Sequence, residues 1–308
     1  MDLKSLPLAA LAFSFALPPT HVLAQDEELH EEATQDPPEQ DAIIVSGNLP
    51  EDSDIRGAVR AVMQERGNTD PIHRYLDPLC LHVTGMNAQS NAFVRARMLA
   101  NAEEAEIDLG EEGCTANAIV FVVAEPGELL DLLQERQPWL LTSDERRRVE
   151  HEAGEGEPVL VWHNFEDRSA QGNQIAHSAT VPGAGGSATP LSVNVRVNTQ
   201  ARPSRSTATH STAVQSGVVV LDMDWLVGMD LERISDFATM RLLAPGLVPF
   251  GHEFTRPTSV TSPFIAEEGE TEMTRFDRAY LRALYGLQPN AAANRLPAAV
   301  LREYESDG

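Results

Sequence analysis

The sequence predicts an α/β fold, with α+β character from helices gathered late in the chain, built on a mixed β-sheet with a strand-helix-strand crossover. Three observations carry this. CLHVTG (80–85) reads as a strand and leads into a helical pattern over 87–105. ANAIVFVVA (116–124) is almost continuously apolar, which a strand buried on both faces requires. Near the end, GMDLERISDFATMRLLAP (228–245) and EMTRFDRAYLRALYGLQP (272–289) both read as amphipathic helices with their own start and stop residues.

The elements follow in order. AIIVSGNLP (42–50) is β-like, and a helix is expected over 54–65, ended by Gly67-Asn68. In the 87–105 helix Phe93, Val94, Arg97, Met98 and Ala102 are spaced for one face. Helices are expected at 127–136 and 143–151, the second opened by a capping box from Thr142 to Glu145. PVLVWHN (158–164) returns as a strand, and the stretch 166–190, with GAGGS and few apolar residues, reads as a loose loop. SVNVRVN (192–198) alternates as a strand with one wet face, and GVVVLDMDW (217–225) is a buried strand. Asp230 caps the next helix, in which Leu231, Ile234, Phe237, Ala238, Arg241 and Leu242 recur at helical spacing. Thr274 and Asp277 cap the last, which Gly286 stops.

The ends bound the compartment. Lys4, the apolar run 6–17 and Val22-Leu23-Ala24 form an export signal (1–24) with cleavage expected before Gln25; Pro18-Pro19 break the run short of a membrane span. A periplasmic or extracellular location is therefore expected, with no transmembrane segment in the mature chain. QDEELHEEATQDPPEQD (25–41) has eight acidic residues and no basic one, so a disordered tail is expected, His30 included. An N-terminal extension (42–78), a globular domain (79–288) and a C-terminal extension (289–308) complete the organisation. With 47 acidic against 23 basic residues the net charge is −24, which repels phosphate backbones and argues against nucleic acid as a partner. The basic Arg202–Arg205 patch lies in a Ser/Thr-rich loop.

Cys80 and Cys114 are the only cysteines. In an oxidising compartment such a pair reads as a disulfide, against the alternative of two buried thiols. Closing a loop of about 35 residues would stabilise the fold by roughly 3–4 kcal/mol.

The order of elements resembles that of zincin metalloproteases, the matrixin-like ones especially: strand, long helix, two strands, edge strand, strand, ligand helix, closing helix. Met273-Thr-Arg-Phe-Asp277-Arg-Ala-Tyr-Leu281-Arg-Ala-Leu284-Tyr285-Gly286 is similar to that family's closing-helix pattern, and the helix pair also resembles a group of uncharacterised secreted bacterial proteins. The resemblance implies a ligand helix bearing His-Glu-x-x-His, in which two imidazoles four residues apart grip one zinc ion and the glutamate activates water. In register, this chain places Ser235, Asp236 and Thr239 at those positions, and the helix contains no histidine. No cofactor is expected.

Other chemistry is weaker still. His151–Glu155 ends among glycines, and His252–Arg256 carries arginine at the second ligand position. Ser187 in GAGGSATP is not on a nucleophile elbow, and GAGGS lacks the spacing and lysine of a P-loop. His163, Asp222 and Asp224, at strand ends, could converge on a non-standard metal site. The expected function is a non-catalytic, zincin-like binding or interaction module of the cell envelope, with a partner or ligand the sequence does not name. A metal-dependent hydrolase built on His163, Asp222 and Asp224 is the alternative. A third reading, a partner or chaperone of an outer-membrane receptor, comes from the acidic tail and from the similarity of AIIVSG to short IVVTG stretches in receptor plugs.

Overall fold

The computed structural model describes residues 50–63, 69–175, 179–181, 191–193, 208–246, 257–261 and 272–307. The export signal, the acidic tail, AIIVSG, Ser187, the Arg202–Arg205 patch, His252–Arg256 and residues 194–198 of the alternating strand lie outside the described residues.

The sheet is mixed, as expected. Its strands are β1 (His73–Arg74), β2 (Leu81–Thr84), β3 (Ala118–Val123), β4 (Val159–Ser169) and, later in the chain, a long strand at His210–Asp222. A two-stranded ribbon, β5 (Ala179–Val181) with β6 (Leu191–Val193), comes between them in sequence, so the long strand is β7. β2, β3 and β7 run parallel in that order, β4 pairs antiparallel along the other side of β7, and β1 lies beside the first half of β7 in line with β3. Helix α1 (Asp52–Val62) precedes the sheet, and α2 (Ala88–Glu104) joins β2 to β3. Helices α3 (Pro126–Arg136) and α4 (Ser143–Gly154) separate β3 from β4. The chain closes with α5 (Leu231–Leu243), α6 (Arg275–Gly286) and α7 (Leu296–Ser306).

Two-sided burial explains the apolar strand runs. Ala118, Val120, Val122, Val219 and Leu221 face a core shared with α1, α2, α5, α6 and α7. Ile119, Val218, Val220, Leu160 and Trp162 face the opposite core, under α3 and α4. β3 and the second half of β7 alternate between two apolar layers, so none of those positions needs to be polar. Cys80 and Cys114 are bonded, tying the entrance of β2 to the approach of β3.

Several boundaries differ from the sequence reading. β4 continues to Ser169 instead of entering a loop at Glu166, because β7 starts at His210, not Gly217, and offers it a partner throughout. Between Asn164 and Phe165 the register shifts: they face Ser216 and Val214, leaving Gln215 as the extra residue of a bulge. Thr142 and Asp230 hold the N-cap positions of α4 and α5, but neither side chain makes a capping bond. Glu145 instead pairs with Arg148. The Thr274–Asp277 box of α6 is formed. Phe93 is exposed on α2, not part of its buried face. Both flanking segments supply core: α1 buries Ile55, Ala58, Val59 and Val62, and α7, a helix absent from the sequence reading, buries Leu296, Ala299, Val300 and Leu301.

Candidate functional site

Helix α5 presents its three ligand-like positions inward. Ser235, Asp236 and Thr239 are all buried, and each polar group already has a protein partner. Ser235 donates to the Leu231 carbonyl at 2.6 Å and Thr239 to the Ser235 carbonyl at 2.7 Å, the backward bonds typical of hydroxyl side chains inside helices. Asp236 receives a bidentate clamp from Arg97 of α2, Nε at 2.8 Å and Nη2 at 2.7 Å. Asn101 donates to the same carboxylate at 2.8 Å, and the Met273 N–H at 2.9 Å. Residues 97 and 101 lie one turn apart on α2, so both reach α5 from one face. Burial works to raise the Asp236 pKa, but these hydrogen bonds and the Arg97 charge outweigh it and bring it below the ordinary carboxylate value.

This arrangement does not fit zinc. A carboxylate that accepts four hydrogen bonds has its lone pairs engaged, and the Arg97 charge would oppose a dication at the same oxygens. The two hydroxyls are poor ligands even when free. What the cluster does chemically is hold α2, α5 and the approach to α6 in one register.

His163, Asp222 and Asp224 are not brought together. His163 lies opposite Gly217 on β7, five residues before Asp222, and that separation along a strand is about 17 Å. Asp222 instead accepts from the Asp224 N–H at 2.8 Å and closes the turn after β7. His163 is buried against α5, its Nε2 bonded to the Leu242 carbonyl at 2.8 Å; a carbonyl only accepts, so Nε2 carries the proton. His151 is exposed on α4. Among the described residues, no three His, Cys, Asp or Glu side chains gather closely enough to share a metal ion.

His163 belongs to a set that the sequence reading missed. Helix C-termini leave carbonyls without intrahelical donors. Tyr285 donates to the Leu243 carbonyl at 2.9 Å, completing the end of α5 that His163 begins. Arg74 donates to the carbonyls of Leu284 and Leu287 at the end of α6. Burial pulls the Arg74 pKa down to about 10 and pushes the Tyr285 phenol well up. Gly217 makes room for this layer: a Cβ there would stand 2.3 Å from the Tyr75 hydroxyl and 2.8 Å from the His163 ring. A lone Arg-Tyr pair before a strand carries no spacing signal for a partner more than 200 residues away. Only its burial, visible in three dimensions, shows the role.

A second polar constellation lies at the far end of β4, where Arg168 is buried between Asp77 and Glu166. No family model, no curated protein and no solved structure matches this chain.

Proposed function

We propose that the protein is an exported, non-catalytic interaction module of the cell envelope, with a zincin-like body whose ligand helix serves packing. The single observation that carries the reading is the Arg97–Asp236 clamp: the carboxylate at the glutamate position of the motif is spent on α2 and on the Met273 N–H. The order of elements supports the zincin likeness. A long helix joins two parallel strands, and β7 leads into α5 and then the capped helix α6, although the described residues of the strand expected at the edge, Leu191–Val193, pair with β5 and not with this sheet. The disulfide supports export, since such bonds persist in oxidising compartments.

Elemental analysis of protein purified without chelator, combined with thermal unfolding with and without EDTA, tests it. The expected outcome is less than stoichiometric zinc and an unchanged midpoint. One tightly held zinc per chain, with a midpoint that drops on stripping, would refute the reading, because a ligand that binds only the folded state raises its stability.

A further inference from the structure

The turn after β4 builds a groove of about 380 Å³ that α5 does not touch. Asp77, from the connection between β1 and β2, forms one wall. Its carboxylate is fixed from behind by Arg168, with Nη2 at 2.7 Å, while Arg168 Nε binds Glu166 at 3.0 Å. The Arg168 side chain is only 3% exposed and that of Asp77 47%, so the guanidinium is a buried brace and the carboxylate faces solvent. Gln171, Asn173 and Gln174 line the same groove, on a turn held by hydrogen bonds. Ser169 N donates to the Asn173 carbonyl, Gly172 N to the Ser169 carbonyl and Asn173 N to Ser169 Oγ, while Ser211 Oγ anchors the Ser169 carbonyl. Gly172, at φ 87°, takes the left-handed conformation that the turn needs. Leu76 and Pro289, both packed beside Gly172, supply the apolar part of the lining.

This chemistry selects one ligand class. Side-chain amides both donate and accept, as hydroxyls do, and a fixed carboxylate accepts from two adjacent hydroxyls. The apolar part of the lining matches the C–H face of a sugar ring, and a volume of this size lies in the range of small-ligand sites. Anions are disfavoured, because Arg168 already faces two carboxylates and the whole chain carries −24. We infer that the groove between Asp77 and the Gln171–Gln174 turn binds a neutral saccharide through its hydroxyls. None of its residues belongs to the α5 cluster, so the metal question and this one are decided separately.

The test is calorimetric titration of the full chain with maltotriose, cellotriose and tri-N-acetylchitotriose, and with inorganic phosphate as the anionic comparison. At least one trisaccharide is expected to bind saturably below about 10 mM. The double variant Asn173→Ala/Gln174→Ala, which alters exposed side chains and leaves the backbone bonds of the turn in place, is expected to weaken binding about tenfold or more with an unchanged melting temperature. Asp77→Asn is expected to weaken it too. Absence of saturable binding by all three sugars overturns the inference. So does sugar binding that the double variant leaves unaltered, or saturable binding of phosphate in their place.

Discussion

At Asp236 the physical chemistry of one carboxylate separates two uses of a helix. A ligand-helix acid must keep lone pairs for water and metal, whereas this one gives them to Arg97, Asn101 and Met273. Its folded pKa is lowered, so the linkage has a definite sign. The contribution to stability is fully present above the unfolded carboxylate value of about 4 and is lost as pH falls through the lower folded value. Arg97→Ala leaves a buried charge without its partner, which costs about 3–5 kcal/mol. Arg97 is 28% exposed, and solvent screening places the loss toward the lower end of that range. Urea unfolding of parent and variant at pH 7 and at pH 3 checks both parts: the difference should be large at neutral pH and shrink in acid. A variant as stable as the parent at pH 7 would show that the clamp contributes nothing to the fold.

Between elements, the close approach of β1, β4, β7 and α5 is set by Gly217 and Tyr75. The Tyr75 hydroxyl is buried without a hydrogen-bond partner among the described residues, and burial raises its pKa well above the ordinary phenol value. Gly217→Ala pushes a methyl into that hydroxyl and the His163 ring, an overpacking change expected to cost about 1–3 kcal/mol. Tyr75→Phe removes the group in the way and a hydroxyl whose desolvation no described residue offsets, so it should be neutral or stabilising. Combined, the two should cost less than Gly217→Ala alone; a double-mutant cycle by chemical denaturation measures the difference, and strict additivity would deny the contact. Such contacts were not legible in the sequence, whereas the elements largely were. β2, α2, β3, α3, α5 and α6 follow apolar periodicity and end residues within a few positions, because each buries a continuous face. β1 has two residues, too few for any period to register. Leu296, Ala299 and Val300 are spaced for one helical face around Pro297 in the first turn of α7, yet 11 residues in a segment that reads as a C-terminal extension give no sign that this face joins the core. At the site, the lack of histidine on α5 is readable, while the partners of Asp236 lie 37 to 139 residues away and that of His163 lies 79 residues away in sequence.

Across the whole molecule, the described beginning and end of the chain meet on one face of the sheet. The buried residues of α1 and those of α7 join one core with α2, α5 and α6, so neither helix is an appendage. Leu296, Val300 and Leu301 are each 5% exposed or less. Burying each contributes about 1.5–3 kcal/mol, and the three together approach the 5–15 kcal/mol that holds a typical domain folded. Removing the chain after Arg295 would also uncover the apolar sides of α1 and α6 that α7 covers. Truncation at that point is therefore expected to abolish cooperative unfolding and sharp near-ultraviolet dichroism, leaving a species with helix content but no fixed core. The milder Leu301→Ala should keep the cooperative transition and its denaturant dependence while losing about 2–5 kcal/mol. If α7 were peripheral, the truncated protein would unfold at the same urea concentration as the parent. The core shared by α1 and α7 requires that it does not, because α7 shields α1.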